Sequence, residues 1–525
     1  MQESFAWLVL TGPLALIAGG LLPDRWVNRH AATMGRTTQG IILITLTAMT
    51  LAVIAIWKNG AIHVTVSPAL GPAALGVCFD SLSATLSLLV CFIGLVTARY
   101  ARSYLEGDAA QGRFFRWMNF TLGAVLCLVV ASNLAMFLVA WIMTSLGLHQ
   151  LLVHYRERRS ALLAARKKFL ISRLGDLFLI LALALSYTTF GSLEYRDLFR
   201  AAEVASQQPW NVHCIAILLV LGAMTKSAQF PVHSWLPDTM ETPTPVSALM
   251  HAGIINAGGY LVIRLSPVVS LSSISLDLLA LVGAFTALFA AVIKLTQTSV
   301  KRSLAYSTIS QMGFMMFQCG VGAFPAALLH IVAHSLYKAH AFLRSGSAIE
   351  QSAKAKVTPR NMPTADWSFA SYVLGSLIAC ALCISLFWAM GITIAQKPGG
   401  FALAFILTMA LAQLLARSFE SQDRVTAMRG MIVATCLFFS YVGAYFLFEQ
   451  IMTRSLSANS SVVSPRHDWL ICIVGAAFLV TFTLQITVTR FRHLPLSKWL
   501  YVHASNGFYV DLLARKLVVR VWGNH

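Results

Sequence analysis

TKSAQFPVHSWLPDTMETPTPVSALMHAGIINAGGYLVIRLSP, residues 225–267, decides how this chain is read. Before it, the apolar run Cys214–Met224 lasts 11 residues and then meets Lys226. Crossing about 30 Å of hydrocarbon takes roughly 20 residues, so the run stops short. Pro231, the polar pair His233-Ser234 and a loop with Pro237, Pro243 and Pro245 come next. A second apolar run then carries His251. A hydrophobic segment broken at an ionisable residue points to an ion site in a transporter.

The remainder of the chain has the same character. Of 525 residues, 57% are hydrophobic and 11% charged, and long apolar stretches recur from end to end. In lipid every backbone polar group is satisfied within its own segment, and no barrel-type alternation is visible. The expected fold is all-α: a polytopic membrane helix bundle of about 15 transmembrane helices, at least one of them broken. Residues 1–489 read as the transmembrane domain and 490–525 as an amphipathic cytoplasmic tail, in which Leu496–Leu500 and Tyr509–Val521 suit a membrane surface or a partner.

The net charge of +19 comes from 39 basic against 20 acidic residues. Most basic residues stand in loops, as topology signals and contacts to anionic lipid, which argues against nucleic-acid binding. Loops marked by Arg25, Arg99, Arg156 to Lys168, Lys301-Arg302, Lys356-Arg360 and Arg424 fall on one side, as does the tail with Arg490 and Arg492. The weakly charged loops Lys58–Asp80 and Phe190–His213 fall on the other. This alternation predicts an N-terminus outside and a C-terminus in the cytoplasm. No basic stretch precedes the first apolar run, which reads as a retained helix. The pair Cys380/Cys383 lies inside an apolar run and reads as packing rather than metal or redox chemistry.

A charge at mid-membrane costs about 2.5–3.5 kcal/mol on insertion scales, so each one needs a reason. Arg173 and Asp176 are three apart on one helix face and read as a structural ion pair. Asp80 opens a helix, where the dipole favours an acid. Lys226 stands after a half-helix, and a buried lysine readily binds and releases a proton. His251, on the next run, titrates in the same range. His330, His334 and Lys338 recur every four residues and share one face, which suggests a wet, proton-carrying line. His340 points elsewhere. Lys294, near the end of an apolar run, serves either snorkelling or function. Zinc at His330 and His334 lacks an acidic or thiol partner.

Residues 225–253, together with CFDSLSATLSLLV (78–90), SRLGDLFLILA (172–182), VKRSLAYSTISQMGFM (300–315) and HIVAHSLYKAHAFLRSGS (330–347), resemble the proton-translocating antiporter family. That family includes the large antiporter-like subunits of respiratory complex I and the Mrp sodium/proton antiporters. The resemblance implies an antiporter-like fold in which Lys226 is the central lysine of the broken helix and His251 its relay partner. His334 and Lys338 match the later helix of the lateral axis, with His330 and Lys294 as secondary members of the proton pathway. The departures are specific. The family's glutamate after a tryptophan is Ile142 here, after Trp141, and no acid lies in that segment. The acid before Lys301-Arg302 is Ser299, and the run Tyr372–Trp388 has no lysine. The segment beyond the last apolar run is too short for a long lateral helix.

Within the family, residues 146–177 and the short tail look most like DabB-type membrane subunits of bacterial inorganic-carbon (CO2/bicarbonate) accumulation systems. That likeness implies a multi-pass protein of the bacterial inner membrane, in contact with the lipid bilayer, that conducts protons or sodium ions. It implies a large cytoplasmic DabA-like partner resembling a zinc β-carbonic anhydrase, so zinc is expected in the partner and no cofactor in this chain. The chain would then be an ion-translocating subunit rather than an enzyme itself. A Mrp-type Na+/H+ antiporter or a proton-pumping subunit of an NADH-quinone oxidoreductase is the alternative. A degenerate anchor that moves no ions fits poorly with Lys226, His251, His334 and Lys338 at their membrane cost.

Overall fold

A computed structural model of the chain describes residues 2–66, 71, 74–204, 210–354, 369–389, 398–419, 424–456, 472–481 and 495–522. The chain runs through α1 (Gln2–Gly20), α2 (Asp24–Arg29), α3 (Ala31–Asn59), a hairpin of β1 (Ile62–Thr65) and β2 (Gly76–Phe79), α4 (Ser81–Tyr104), α5 (Gln111–Val130), α6 (Leu134–Leu152), α7 (Arg159–Phe190) and α8 (Tyr195–Val204). The broken region is next: α9 (Trp210–Lys226), α10 (Trp235–Asp238), α11 (Thr244–Ala252), α12 (Ala257–Arg264) and α13 (Ser266–Val269). Then come α14 (Ser273–Lys294), α15 (Val300–Gly320), α16 (Phe324–Lys354), α17 (Phe369–Ala389), α18 (Pro398–Phe419), α19 (Arg424–Ser455), α20 (Cys472–Thr481), α21 (Pro495–Ser505) and α22 (Val510–Trp522).

Where they are described, the apolar runs of the sequence lie mainly on helices, with α11 and α12 sharing one run. Among the described residues, nine helical stretches are long and apolar enough to cross a membrane. Four shorter apolar helices join them, α9 among these. The stretch 244–264 has 94% of its window buried, which puts the break between α11 and α12 in the middle of the bundle. Packing around it uses small residues, because helices in lipid associate through close backbone approach. At Gly313 of α15 a Cβ would lie 2.5 Å from the backbone nitrogen of Ala287 on α14.

Two loops hold structure that the sequence does not announce. Lys58–Asp80 contains the antiparallel hairpin, registered Ile62↔Phe79 to Thr65↔Gly76. Phe190–His213 contains α8, whose Tyr195 and Leu198 turn into the core. The hairpin delivers Asp80 to the start of α4, where its carboxylate accepts a 2.9 Å hydrogen bond from the Ser83 amide. It is also gripped by Arg264 at the end of α12, whose Nη1 and Nη2 donate to Asp80 Oδ2 at 2.6 Å and Oδ1 at 2.9 Å. Both side chains are 1% exposed. Arg264 Nη2 also donates to Ser83 Oγ and its Nε to Tyr260 Oη, so all the polar groups of this pair are used. The loop residues Lys356, Arg360, Arg490 and Arg492, and the boundary at 489–490, lie outside the described residues.

Candidate ion-translocation site

α9 ends at Lys226 because the next three residues leave the helix. Ala228 takes a left-handed conformation (φ 49°), and the Gln229 amide turns back to the Met224 carbonyl. The Phe230 amide, freed from the helix, donates to Thr286 Oγ1 on α14 at 3.0 Å. The second helix breaks as well. Gly253 adopts φ −125° and ψ −69°, and a 3-10 turn at Ile254–Asn256 joins α11 to α12. The two breaks are tied together: Ser227 Oγ donates to the Ile255 carbonyl at 2.8 Å. Gly258 makes this approach possible, since a Cβ there would lie 2.3 Å from the Ala223 carbonyl oxygen and 2.4 Å from Ser227 Oγ. Gly258→Val is therefore expected to lower the stability of the purified protein by about 1–3 kcal/mol, the usual cost of overpacking, read as an earlier thermal transition in detergent.

Lys226 is held by α6. Its Nζ donates to Ser145 Oγ at 2.7 Å and to the Trp141 carbonyl at 3.2 Å, and lies 4.3 Å from the centre of the Trp141 ring. Ile142 is the next residue on α6, so the wall that carries an acid in the resembling family carries an indole and a hydroxyl here. Lys226 is still not isolated from negative charge. Asp176 of α7 is the carboxylate that acts on it electrostatically, across a gap rather than in contact. The segment after Trp141 carries no acid, as its sequence implies; the carboxylate near Lys226 comes instead from the adjacent helix. Arg173 Nη2 lies 2.7 Å from Asp176 Oδ2, so Asp176 faces Arg173 on its own helix and Lys226 on the next.

A residue read as a loop charge belongs here too. Lys168 lies inside α7 and is 3% exposed, and its Nζ donates to the Ser145 carbonyl at 2.7 Å. Its spacing carried the signal. Lys168, Ser172, Gly175, Asp176 and Leu179 form the buried stripe of α7, at the intervals of one helix face. Positive-inside reasoning hid it, because Arg166 and Lys167 stand beside it.

His251 belongs to a second group of buried polar side chains. Its Nδ1 is 3.0 Å from Thr308 Oγ1 on α15, and its ring stacks on Phe342 of α16 with centroids 4.3 Å apart. Asn256, in the α11–α12 break, donates to Ser335 Oγ on α16 at 2.8 Å. A small cavity lined by Val125, Gly253, Asn256, Tyr260 and Ser335 adjoins the break. On α16, His334 and Lys338 are buried, His330 is half-buried and His340 is exposed, as their spacing implies. The His330 and His334 rings are 6.0 Å apart, and Lys338 Nζ donates to the Leu304 carbonyl at 3.2 Å. His251, His334 and Lys338 are close enough to act on one another electrostatically, and Lys294, exposed at the end of α14, acts on Lys338. Gln229 Oε1, His233 Nδ1, His251 Nε2, Asn256 Oδ1, His330 Nε2 and both His334 ring nitrogens are buried without a protein partner.

The tail packs against the same region. Asp511 of α22 contacts Lys167, which also holds Asp238 of α10 at 2.5 Å, and Arg515 reaches Asp511 at 2.7 Å. Phe508 packs on Phe289 of α14. This face of the tail is thus occupied by the chain itself.

The model of the "NADH:quinone oxidoreductase/Mrp antiporter, TM" family matches residues 131–362. That of the "NADH-Ubiquinone oxidoreductase (complex I), chain 5 N-terminus" matches residues 71–115. A protein of Hydrogenovibrio crunogenus named probable inorganic carbon transporter subunit DabB is 35% identical over 99% of this chain and 95% of its own length. Probable inorganic carbon transporter subunit DabB2 of Halothiobacillus neapolitanus is 36% identical over 86% of this chain and 82% of its own. Among solved structures, the Mrp complex from Dietzia sp. DQ12-45-1b superposes with a TM-score of 0.65 at 25% identity, covering 98% of this chain and 59% of that one. With a helical bundle broken at a buried lysine and relatives matched along nearly its whole length, the chain belongs to the complex I/Mrp antiporter-like family of multi-pass membrane proteins, and within it is DabB-like.

Proposed function

We propose that this chain is the ion-conducting membrane subunit of an inorganic-carbon accumulation complex, passing protons along Lys226, His251, His334 and Lys338, with His330 and Lys294 at the periphery. The observation that carries the carbon substrate is the likeness to the two DabB-named proteins along most of the chain. The proton path rests on geometry. Lys226 of α9 lies within electrostatic reach of Asp176, and His251 of α11 lies within reach of His334 and Lys338 of α16. Among the buried nitrogens and oxygens without protein partners are His251 Nε2, Asn256 Oδ1, His330 Nε2 and both ring nitrogens of His334, which belong to the proposed path or adjoin it. Buried polar groups are paired or hydrated, and a hydrated proton path would supply what the protein does not.

In this reading the chain sits in a bacterial inner membrane with its C-terminus in the cytoplasm. There it energises a large DabA-like zinc subunit that hydrates CO2. Isolation of the native complex tests the assignment. A large zinc-containing soluble subunit is expected to co-purify; flavin or iron–sulfur subunits would move the chain to a quinone oxidoreductase. Cation-driven proton exchange by the chain without any partner would make it a Mrp-type antiporter.

A further inference from the structure

We propose that Lys168 is a second proton-carrying lysine of the buried site, exchanging a proton with Lys226 across Ser145. The inference rests on the proton-path reading above and adds a residue to it. Both ammonium groups converge on one residue of α6: Lys168 Nζ on the Ser145 carbonyl and Lys226 Nζ on the Ser145 hydroxyl, each at 2.7 Å. Neither nitrogen has a carboxylate in contact among the described residues. The charged groups facing this spot are Arg173 and Asp176 on α7, while α6 adds only His149.

Fully ionised, Lys168, Lys226 and Arg173 would set three positive charges against the single carboxylate of Asp176. Like charges in a low-dielectric interior repel strongly, and arginine does not release its proton. Lysine does. The arrangement therefore favours a shared proton: the Lys168 ammonium gives up one proton, the neutral Lys226 amine takes it, and one positive charge moves from α7 to α9 with no other bond changed. A purely structural lysine at 168 would serve only to fasten α7 to the Ser145 carbonyl. Arginine would keep a charged donor for that role.

The test uses membrane vesicles from cells making the chain with its native partner. Bicarbonate accumulation is followed against external pH, and the amount of assembled complex is measured alongside. Lys168→Arg keeps the charge and the donor but cannot release the proton. It is expected to assemble normally and to lose about tenfold or more of the rate, along with the wild-type pH profile. An unchanged rate and profile would overturn the proposal and leave Lys168 a tether. If Lys168→Arg fails to assemble, Ser145→Ala decides. It removes the hydroxyl that holds Lys226 on the residue whose carbonyl holds Lys168, and is expected to slow accumulation and shift its pH profile; a wild-type profile would overturn the proposal. Lys226→Met runs beside both. Full accumulation in that variant would count against the broken-helix site itself, whereas its loss together with a wild-type Lys168→Arg would count against Lys168 alone.

Discussion

Lys226→Met is expected to abolish energised bicarbonate accumulation while leaving the complex assembled. Methionine has much of the length and flexibility of lysine, so the packing between α6 and α9 should persist. The variant removes the donor to Ser145 Oγ and to the Trp141 carbonyl. Both acceptors have other uses. The Trp141 carbonyl belongs to α6, and a hydroxyl can turn toward its own helix. Stability should accordingly change little, because removing a charge from a buried site also removes its desolvation penalty. Translocation is different. If Lys226 holds the proton where α9 breaks, nothing else on α9 can replace it, and the loss should reach about 10²-fold or more, the range for a positioned proton-transfer group. Uptake driven by an imposed ion gradient, scaled to the assembled complex, measures this.

Arg264→Met is expected to have the opposite profile: a large loss of folded protein. The Asp80–Arg264 pair joins the start of α4 to the end of α12, and its two side chains are 1% exposed. Removing the guanidinium leaves a buried carboxylate held only by the Ser83 amide. Breaking a buried pair from one side costs about 3–5 kcal/mol, because the surviving charge is uncompensated. Asp80→Asn with Arg264→Met should recover part of this, since neither partner then leaves a buried charge behind. Yield and thermal unfolding of the single and double variants in detergent measure it. Recovery in the double variant separates the charge effect from a packing defect at residue 264.

These two sites differ in how legible they were. The broken helix could be read because an apolar run of 11 residues is too short for a membrane and ends in a lysine. The α16 line could be read because its spacing of four places His330, His334 and Lys338 on one face. Arg264 could not: a basic residue at the end of an apolar run looks the same whether it snorkels or is buried against an acid far away in sequence. Lys168 was concealed by its neighbours, since Arg166 and Lys167 are what a basic loop displays. Only the helix continuing back to Arg159 turns Lys168 inward. The acid facing Lys226 was sought on α6, where Trp141 is followed by Ile142. Which helix supplies an opposing charge is a matter of packing, and a single sequence carries no packing. The hairpin was missed because each strand has four residues, too few for alternation to stand out.

The central claim is that protons pass through this chain at the broken helix and that their passage is tied to CO2 hydration. Its most direct test is proton movement into proteoliposomes holding the purified native complex, followed with a pH-sensitive dye as CO2 is supplied under an imposed pH gradient. The expected result is CO2-dependent proton entry in the wild type that disappears in Lys226→Met at equal protein content. Equal proton entry with and without Lys226, or none in the wild type while bicarbonate still accumulates, would contradict it.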